Sequence, residues 1–313
     1  MQVELHRHLD VSLRTETLLE LAQARGLETQ GTSLSNFRQK LILRKPLADL
    51  SSVLAQFTLF QKVLDRPEVL RRVAFEALED CVREGTTHVE FRFSPGWVAE
   101  HSQLSFADIL FGFEEGLKDG LKKYPVIRAG LICIASRDYG VDEADRTIEF
   151  FLKNKTRFIG LDLAGNETAY PCRIFENSFK KAIAENSKIT IHAGEASGPE
   201  NIWEAIELLG ARRIGHGISS VRDPRLLEYL REKNICLEMC PTSNWLTQCV
   251  TSFEQHPLKK VLDQGVPVSI NTDDPGIFGV TLPHEIETAR TKMGLSEADV
   301  EKCTDFALQA TFL

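Results

Sequence analysis

Two histidines separated by one residue, His6 and His8, close a short run of strand-forming residues near the start of the chain. In a β-strand, residues two apart point to the same face, so both imidazoles would face one side and supply half of a metal site. A pair of surface histidines would give the same letters. Three further polar clusters, each ending an apolar run, favour the metal site: residues 192–195 (HAGE), 215–217 (GHG) and 271–275 (NTDDP).

These clusters contain the groups that hydrolysis at a metal ion requires. Imidazole nitrogens and one carboxylate oxygen suit zinc or a similar divalent transition metal. A bound divalent ion brings the pKa of its water from 15.7 to about 7, which makes hydroxide available at neutral pH. Glu195 follows His192 by three residues, so it should lie beside the metal, where burial would raise its pKa and let it donate a proton. His216 can hydrogen-bond the hydroxide. The alternative for Glu195 is an ordinary glutamate in the first turn of a helix. The alternative for His216 is a buried histidine with a structural role only.

Eight short runs rich in Val, Ile, Leu and Phe predict the strands that carry these groups. They lie at Val3–Leu9, His88–Phe93, Ile127–Ile134, Phe158–Leu163, Ile189–His192, Arg213–His216, Ile235–Met239 and Val266–Asn271. Amphipathic helical patterns alternate with them, at Glu68–Glu84, Asp142–Lys153, Asn201–Leu209, Pro224–Lys233 and Phe253–Gln264. Ser197 and Glu200 have the spacing of a capping box and predict the start of one of these helices.

Apolar strands that alternate with amphipathic helices imply a parallel sheet, and eight units predict an α/β fold of the closed (β/α)8 TIM barrel type. A doubly wound open sheet is the rival, but it usually carries a Gly-rich phosphate loop after its first strand, where this chain reads LDVS. Barrel enzymes gather their active sites at the C-terminal ends of the strands. The candidate groups follow that rule, because each ends a predicted strand: His6 and His8, His192, His216, and Asp273.

The stretch from Gly26 to Pro67 is too long for a simple connection between a strand and a helix. We expect extra helices over the C-terminal mouth of the barrel, with some apolar side chains facing the substrate. The alternative is that these side chains pack only against the outer helices. The apolar residues concerned are Phe37, Leu41, Leu54, Phe57, Leu59 and Phe60. No internal repeat or linker interrupts the sequence, so residues 1–313 are expected to form one barrel domain.

Composition narrows the classes of partner. The net charge is −8 and Lys and Arg are scattered, which argues against nucleic acid, because phosphate binding needs clustered basic residues. No segment approaches the ~20 apolar residues of a membrane span. The seven cysteines are odd in number and form no CxxC motif, which predicts reduced thiols in a cytoplasmic protein. A small-molecule substrate suits this composition, and the oligomeric state is left open.

Taken together, the motifs resemble the adenosine deaminase family of metal-dependent purine aminohydrolases, within the amidohydrolase superfamily. The similarity runs over nearly the whole chain. It is carried by residues 3–10 (VELHRHLD), 89–95 (VEFRFSP), 162–167 (DLAGNE), 192–195 (HAGE), 213–217 (RIGHG), 240–244 (CPTSN) and 271–275 (NTDDP). The HxHLD pattern is moderately specific alone, and the full ordered set is highly specific.

The resemblance implies roles for individual residues. The zinc ligands would be His6, His8, His192 and Asp273, holding one zinc ion per chain. Glu195 would donate a proton to purine N1, and His216 would orient the hydroxide that attacks C6 before ammonia leaves. Asp274 would bond N7, the Gly165 backbone N–H would bond N3, and Asp10 would contact the ribose 5′-hydroxyl. The implied reaction is zinc-dependent hydrolytic deamination of adenosine, and of 2′-deoxyadenosine, to inosine and ammonia.

The end of strand four bears on the number of metal ions, and the residues that follow strand one bear on the identity of the substrate. Binuclear members of the superfamily place a modified lysine at the end of strand four, where this chain has none, so one metal is expected. Val11 stands where many family members have glycine, which puts the exact substrate in question. Asp10 favours a nucleoside over the free base. The alternatives are the same chemistry on adenine, aminodeoxyfutalosine or a modified adenosine, a catalytically silent binding protein, or ester or phosphoester hydrolysis.

Overall fold

A computed structural model describes residues 2–47 and 55–313, and eight parallel strands form its centre. The strands are β1 (Gln2–His8), β2 (Thr86–Phe93), β3 (Arg128–Ser136), β4 (Gly160–Ala164), β5 (Thr190–Ala193), β6 (Arg213–His216), β7 (Cys236–Met239) and β8 (Val268–Ile270). Neighbours pair in parallel in the orders β1-β2-β3-β4 and β5-β6-β7-β8. Single bridges join Leu161 to Ile189 and Arg7 to Asp273, which closes the two groups into the predicted (β/α)8 barrel.

Fifteen α-helices occupy the described ranges, and most connect one strand to the next. They are α1 (Thr15–Ala24), α2 (Leu34–Leu41), α3 (Thr58–Val63), α4 (Pro67–Arg83), α5 (Pro95–Ala99), α6 (Phe106–Lys123), α7 (Gly140–Lys153), α8 (Glu176–Ala184), α9 (Pro199–Glu207), α10 (Pro224–Glu232), α11 (Pro241–Leu246), α12 (Leu258–Asp263), α13 (Pro275–Phe278), α14 (Leu282–Met293) and α15 (Glu297–Ala310). Helix α4 illustrates why these segments are helical. Val69, Leu70 and Val73 lie on one buried apolar face of the helix. Gly85 follows the helix with a φ of 82°, which only glycine adopts easily.

Two details of the helix predictions are wrong. The predicted helix 253–264 is divided into a 3-10 turn, Phe253–Gln255, and helix α12, because Pro257 lacks the N–H that a continuous helix would use. Ser197 does not cap α9. Gly198 is the N-cap residue, and the backbone N–H of Ser197 donates instead to Glu167 at 3.0 Å.

The stretch between β1 and α4 contributes helices α1, α2 and α3, and part of it lies over the mouth of the barrel. Phe57 lines the cavity there, as expected for some of its apolar residues. Phe37 and Phe60 are buried in the main hydrophobic core instead. Leu41 and Leu59 are partly buried against that core. Leu54 lies outside the described residues.

The barrel contains two kinds of interior. Apolar side chains fill the layer between the strands and the surrounding helices. Within the ring of strands, by contrast, five charged side chains are at most 1% exposed: Glu90, Arg92, Asp162, Arg213 and Glu238. All seven cysteines are free thiols, and all except Cys249 are buried. Among the helices that the structure describes, none is long and apolar enough to span a bilayer.

Candidate metal centre and active site

The candidate site forms where the first and last strands meet at the mouth. The backbone N–H of His8 donates to the Asp273 carbonyl at 2.8 Å, and the Asp273 N–H donates to the His6 carbonyl at 3.1 Å. This exchange fixes Asp273 beside both histidines. Strand alternation turns Arg7 away from them, and its guanidinium pairs with Glu4 at 3.2 Å.

Four potential ligands from three parts of the barrel converge. One ligand atom from each of His6, His8, His192 and Asp273 lies within 4.8 Å of all the others. The Asp273 Oδ1 atom is 3.0 Å from His6 Nε2 and 3.3 Å from His8 Nε2. The Nε2 atoms of His8 and His192 are 3.3 Å apart. Ligands ~2.0–2.1 Å from a tetrahedral zinc are about 3.4 Å from one another, so these separations suit such an ion.

The hydrogen bonds of the imidazoles also suit a metal. His6 Nε2 is buried and has no hydrogen-bond partner, although it faces the carboxylate of Asp273. On the opposite ring edges, Nδ1 of His6 lies 2.9 Å from Glu238, and Nδ1 of His192 lies 3.0 Å from Asp162. Carboxylates at Nδ1 place the proton there and leave the Nε2 lone pair directed at the cluster, the usual arrangement around metal-bound histidines.

The charges around the cluster favour a cation. Burial lowers the pKa of His6, and it lowers the pKa of His192 to about 3, so both rings are neutral and able to ligate. Burial opposes a charge on His8 too, but the nearby carboxylates of Asp274 and Asp273 raise the pKa of His8 to about 9. The four residues therefore form a candidate metal-binding site.

Glu195 lies beside this cluster with a side chain only 7% exposed. Burial, with Asp273 and Glu167 adding negative charge, raises the pKa of Glu195 to about 8. Its Oε1 accepts hydrogen bonds from Asn244 Nδ2 at 3.1 Å and from Thr247 at 3.3 Å. A carboxyl group held neutral at pH 7 beside a metal site can act as a proton donor.

His216 completes the group, and its backbone is strained. Its Nε2 lies 3.6 Å from Glu195 Oε2, and its Nδ1 lies 3.1 Å from Asn244 Nδ2. Both His216 and Asp273 have positive φ, 61° and 64°, a conformation that side chains other than glycine rarely adopt. Strain of this kind is characteristic of functional sites.

The residues predicted to bind substrate line one cavity of about 490 Å³ that opens at the mouth. Asp10 accepts a hydrogen bond from the Ser94 N–H at 3.0 Å, and burial raises the pKa of Asp10 to about 6. Burial and the neighbouring Asp273 raise the pKa of Asp274 well above its usual value. Gly165 has a φ of 111°, and a Cβ there would lie 2.3 Å from the Asp138 carboxylate, so only glycine fits. Val11 also lines the cavity.

Sequence reasoning missed the residues that hold the predicted ones. Glu167 accepts hydrogen bonds from the backbone N–H groups of Gly194, at 2.8 Å, and Ser197, and so shapes the turn that carries Glu195. Asn244 bridges Glu195 and His216. Both lie in motifs quoted for the resemblance, but neither received a role. Glu238 and Asp162 were missed as well, although a charged residue inside an apolar strand was an available signal.

Comparison with known proteins agrees with this geometry. The family model described as Adenosine deaminase matches residues 2–313. The adenosine deaminase of Escherichia coli is 40% identical over 312 residues, which are 99% of this chain and 93% of the relative. A solved amidohydrolase from Burkholderia ambifaria, with bound Zn, is 26% identical with a TM-score of 0.88, covering all of this chain and 85% of that one.

A plant structure gives a further fold comparison. The apo N6-methyl-AMP deaminase from Arabidopsis thaliana is 25% identical with a TM-score of 0.84, covering all of this chain and 92% of that one. The family model matches residues 2–313, and the alignment to the bacterial relative covers 99% of this chain. The similarity therefore includes the whole barrel and not only its mouth. The chain therefore belongs to the adenosine deaminase family of hydrolases.

Proposed function

We propose that this protein catalyses the zinc-dependent hydrolytic deamination of adenosine and 2′-deoxyadenosine to inosine or 2′-deoxyinosine and ammonia. One observation carries the proposal: four ligand atoms converge within 4.8 Å of one another beside Glu195. Burial raises the pKa of Glu195 to about 8. A metal site and a neutral carboxylic acid side by side are what addition of water to a purine ring requires.

One zinc ion per chain would be held by the four converging residues: His6, His8, His192 and Asp273. Three imidazoles and one carboxylate suit zinc, and the related amidohydrolase from Burkholderia ambifaria was solved with bound Zn. A zinc ion held there would make hydroxide available at neutral pH by lowering the pKa of bound water. The end of β4 reads GLDLAG, without the lysine that binuclear members of the superfamily use, which supports a single ion.

Glu195 would supply the proton, and His216 would orient the attacking oxygen. Attack at C6 pushes electrons onto N1, and a protonated Glu195 can neutralise that nitrogen as charge develops. His216 lies 3.6 Å from Glu195 and is placed to hydrogen-bond the attacking oxygen. Asn244 donates to Glu195 and contacts His216, so it fixes the separation of the two groups.

Asp274, Gly165 and Asp10 would recognise the purine nucleoside. A neutral Asp274 carboxyl can donate to purine N7, and its raised pKa supports that protonation state. The Gly165 N–H would bond N3, and Asp10 would accept from the ribose 5′-hydroxyl. None of these contacts uses the 2′-hydroxyl, which is why 2′-deoxyadenosine is included.

The charge of the cavity favours a nucleoside over a nucleotide. Among the described lining residues none is Lys or Arg, whereas carboxylates lie along its length, including Asp10, Glu100 and Asp138. Residues 48–54 contain no basic residue either. A 5′-phosphate would therefore meet like charge without a lysine or arginine among the described lining residues to balance it.

A substrate panel on the zinc-loaded protein tests the proposal. Ammonia release is followed with adenosine, 2′-deoxyadenosine, adenine, aminodeoxyfutalosine, an N6-methylated adenosine and AMP, and metal content is measured in the same preparation. We expect the two unmodified nucleosides to have the highest kcat/KM and AMP the lowest. Preference for another 6-aminopurine would retain the chemistry and replace the substrate, with Val11 as the first position to vary. Absence of turnover with every member, with zinc bound, would refute the proposal.

Cellular location and domain organisation are parts of the same proposal. Seven free thiols suit a reducing compartment, so we place the enzyme in the cytoplasm. We also treat residues 1–313 as one catalytic barrel, because β1 and β8 belong to one ring of strands and helix α15 packs on both of them.

A further inference from the structure

Beneath the candidate site, the barrel interior contains a chain of buried ion pairs centred on Glu238. Its Oε2 atom lies 2.9 Å from His6 Nδ1 and accepts a hydrogen bond from Arg92 at 2.7 Å. Its Oε1 atom accepts from Arg213 Nε at 2.6 Å and from Thr190 at 2.9 Å. Four partners surround one carboxylate, so it cannot turn without breaking a charged hydrogen bond, and the imidazole of His6 is held with it.

A second branch reaches another candidate metal ligand. Arg92 also donates from Nη1 to Asp162 at 2.8 Å, and Asp162 lies 3.0 Å from His192 Nδ1. One guanidinium therefore joins the carboxylates that orient His6 and His192. Both carboxylates and Arg92 are 0% exposed, and in such surroundings a displaced partner has no water to replace it.

From Arg213 the chain of contacts continues to residues 310–313, which we call the tail segment. Arg213 donates from Nη1 to the Ala310 carbonyl at 2.9 Å and from Nη2 to Glu90 at 2.6 Å. Its guanidinium carbon lies 3.6 Å from the centre of the Phe312 ring. Glu90 in turn accepts from the Thr311 hydroxyl at 2.7 Å and from the Phe312 backbone N–H. The tail segment thus contacts Arg213 directly and also contacts Glu90, one of the two carboxylates that pair with Arg213.

The tail segment lies in a closely fitting recess at the base of the barrel. A Cβ on Gly160 would be 2.7 Å from the Phe312 ring, and a Cβ on Gly130 would be 2.9 Å from the Leu313 side chain. Lys188 donates to the Phe312 carbonyl. Phe312 is 6% exposed, so its ring is fixed against the guanidinium of Arg213.

We propose that the tail segment is a positioning element for the metal centre, acting through Arg213 and Glu238 on the imidazole of His6. Phe312 and Glu90 restrict the guanidinium of Arg213, and that guanidinium fixes one oxygen of Glu238. The other oxygen of Glu238 then has a single orientation toward His6 Nδ1. The inference rests on the metal centre proposed above and adds a determinant at the opposite end of the barrel.

The test measures how fast folded protein loses zinc. Wild type and Phe312→Ala, each loaded with one equivalent of zinc, are mixed with excess 4-(2-pyridylazo)resorcinol, and the coloured complex is followed well below the melting temperature. We expect Phe312→Ala to release zinc about tenfold faster, the lower end of the effect of residues that orient metal ligands. The kcat for adenosine should fall while KM changes little, because the tail segment does not line the cavity.

The control is Leu308→Ala on helix α15. Leu308 packs against Val3, Leu5 and Cys236 at the same end of the barrel but is outside the ion-pair chain. We expect a lower melting temperature with zinc release unchanged. Phe312→Tyr keeps a ring over Arg213 and should restore slow release. Release accelerated equally by Leu308→Ala and Phe312→Ala, or by neither, would overturn the inference.

A gentler change covers the case in which Phe312→Ala does not fold. Thr311→Val keeps the shape of the side chain and removes only its hydroxyl, which donates to Glu90 and accepts from the Leu313 N–H. It should accelerate zinc release by less than Phe312→Ala, and unchanged release in a folded Thr311→Val protein would count against the inference. If the wild type binds no zinc, the metal centre and this inference fail together. If it binds zinc that Thr311 and Phe312 do not influence, only the inference fails.

Discussion

Buried carboxyl groups behave differently at the mouth of this barrel and in the interior beneath it. At the mouth, the partners of Glu195 in the described part of the chain are amide and hydroxyl groups and include no arginine, and burial raises its pKa to about 8. In the interior, burial acts on Glu238 in the same direction, but Arg92 and Arg213 hold the pKa of Glu238 well below its usual range. Two glutamates on the same barrel are thus a neutral acid in one place and a fixed anion in the other.

The difference shows how the barrel separates chemistry from support. An anion flanked by arginines is a permanent acceptor that can orient an imidazole, as Glu238 and Asp162 do. Glu195 has no arginine among its described partners, and burial raises its pKa, so it can hold a proton and transfer it. The arginines beneath the mouth therefore account for the difference between the Glu238 anion and the protonated Glu195.

The largest effect is expected from Glu195→Gln. The amide keeps the shape of the neutral acid but cannot release a proton, so kcat for adenosine should fall by about a thousandfold, within the range for general acids. Zinc content and nucleoside binding should be retained, as measured by metal analysis and by titration with inosine. Glu207→Gln, at the exposed end of helix α9, is the matched control and should be fully active. Near-normal turnover by Glu195→Gln would remove this residue from the mechanism.

Glu285, which lies away from the cavity, tests through stability alone whether a buried carboxyl group without an arginine partner has a raised pKa. Glu285 on helix α14 is 0% exposed, accepts from the Thr242 N–H at 2.9 Å, and has one oxygen without a partner. Burial raises the pKa of Glu285 to about 7 from an ordinary value of 4.5. The folded protein therefore binds a proton that the unfolded chain releases, so this group lowers stability as pH rises from about 4.5 through 7.

Glu285→Gln should abolish that loss. Between pH 5 and pH 8 the wild type should lose about 2.5 kcal/mol more unfolding free energy than the variant, since one pKa unit corresponds to ~1.4 kcal/mol. Urea unfolding at both pH values measures the difference. Glu287→Gln, exposed two residues later on the same helix, should follow the wild type. Equal pH dependence in Glu285→Gln and wild type would mean that Glu285 is ionised despite having no arginine.

The fold and the converging side chains were predictable because they depend on local signals. Apolar runs and amphipathic stripes define the strands and helices, and short motifs at strand ends place His8, His192 and Asp273 on one rim. The carboxylates beneath them were not predicted. Their partners depend on strand register and on which side chains face inward, as for Glu238, which interacts with residues from β1, β2, β5 and β6. The glutamate between Leu237 and Met239 is unusual in an apolar strand, but the sequence does not indicate which residues it pairs with.

Local rules also failed where tertiary contacts compete with them. Ser197 has the spacing of a helix cap, but Glu167, thirty residues earlier, accepts from its N–H instead. Glu167 also accepts from Gly194 and Asn201, so the turn after β5 is shaped by a residue that no local pattern points to. The prediction at Pro257 failed for the opposite reason, because the proline was a local signal that outweighed the helical periodicity around it.

Asp10→Ala probes a mouth carboxyl whose proposed partner is the substrate. A hydrogen bond to a charged group contributes about 1.5–3 kcal/mol, so kcat/KM for adenosine should fall about 10- to 100-fold. For 5′-deoxyadenosine, which lacks the hydroxyl, the same substitution should cost far less. Ser94 loses its acceptor with either substrate, so only the difference between the two losses reports the ribose contact. Equal losses would assign Asp10 to the Ser94 turn alone.

The pH profile gives the smallest effect and tests both halves of the comparison. The proposed donor is the protonated form of Glu195, which predominates below its pKa of about 8. Raising the pH through that value removes the proton, so kcat/KM for adenosine should fall by about tenfold for each unit above 8. The orienting anion Glu238 cannot cause this loss, because arginines hold the pKa of Glu238 well below its usual range and it stays ionised throughout. Zinc release and circular dichroism measured between pH 7 and pH 9.5 should therefore remain constant while activity declines. A decline that follows zinc release would locate the ionisation in the support beneath the mouth and reverse the assignment of the two glutamates.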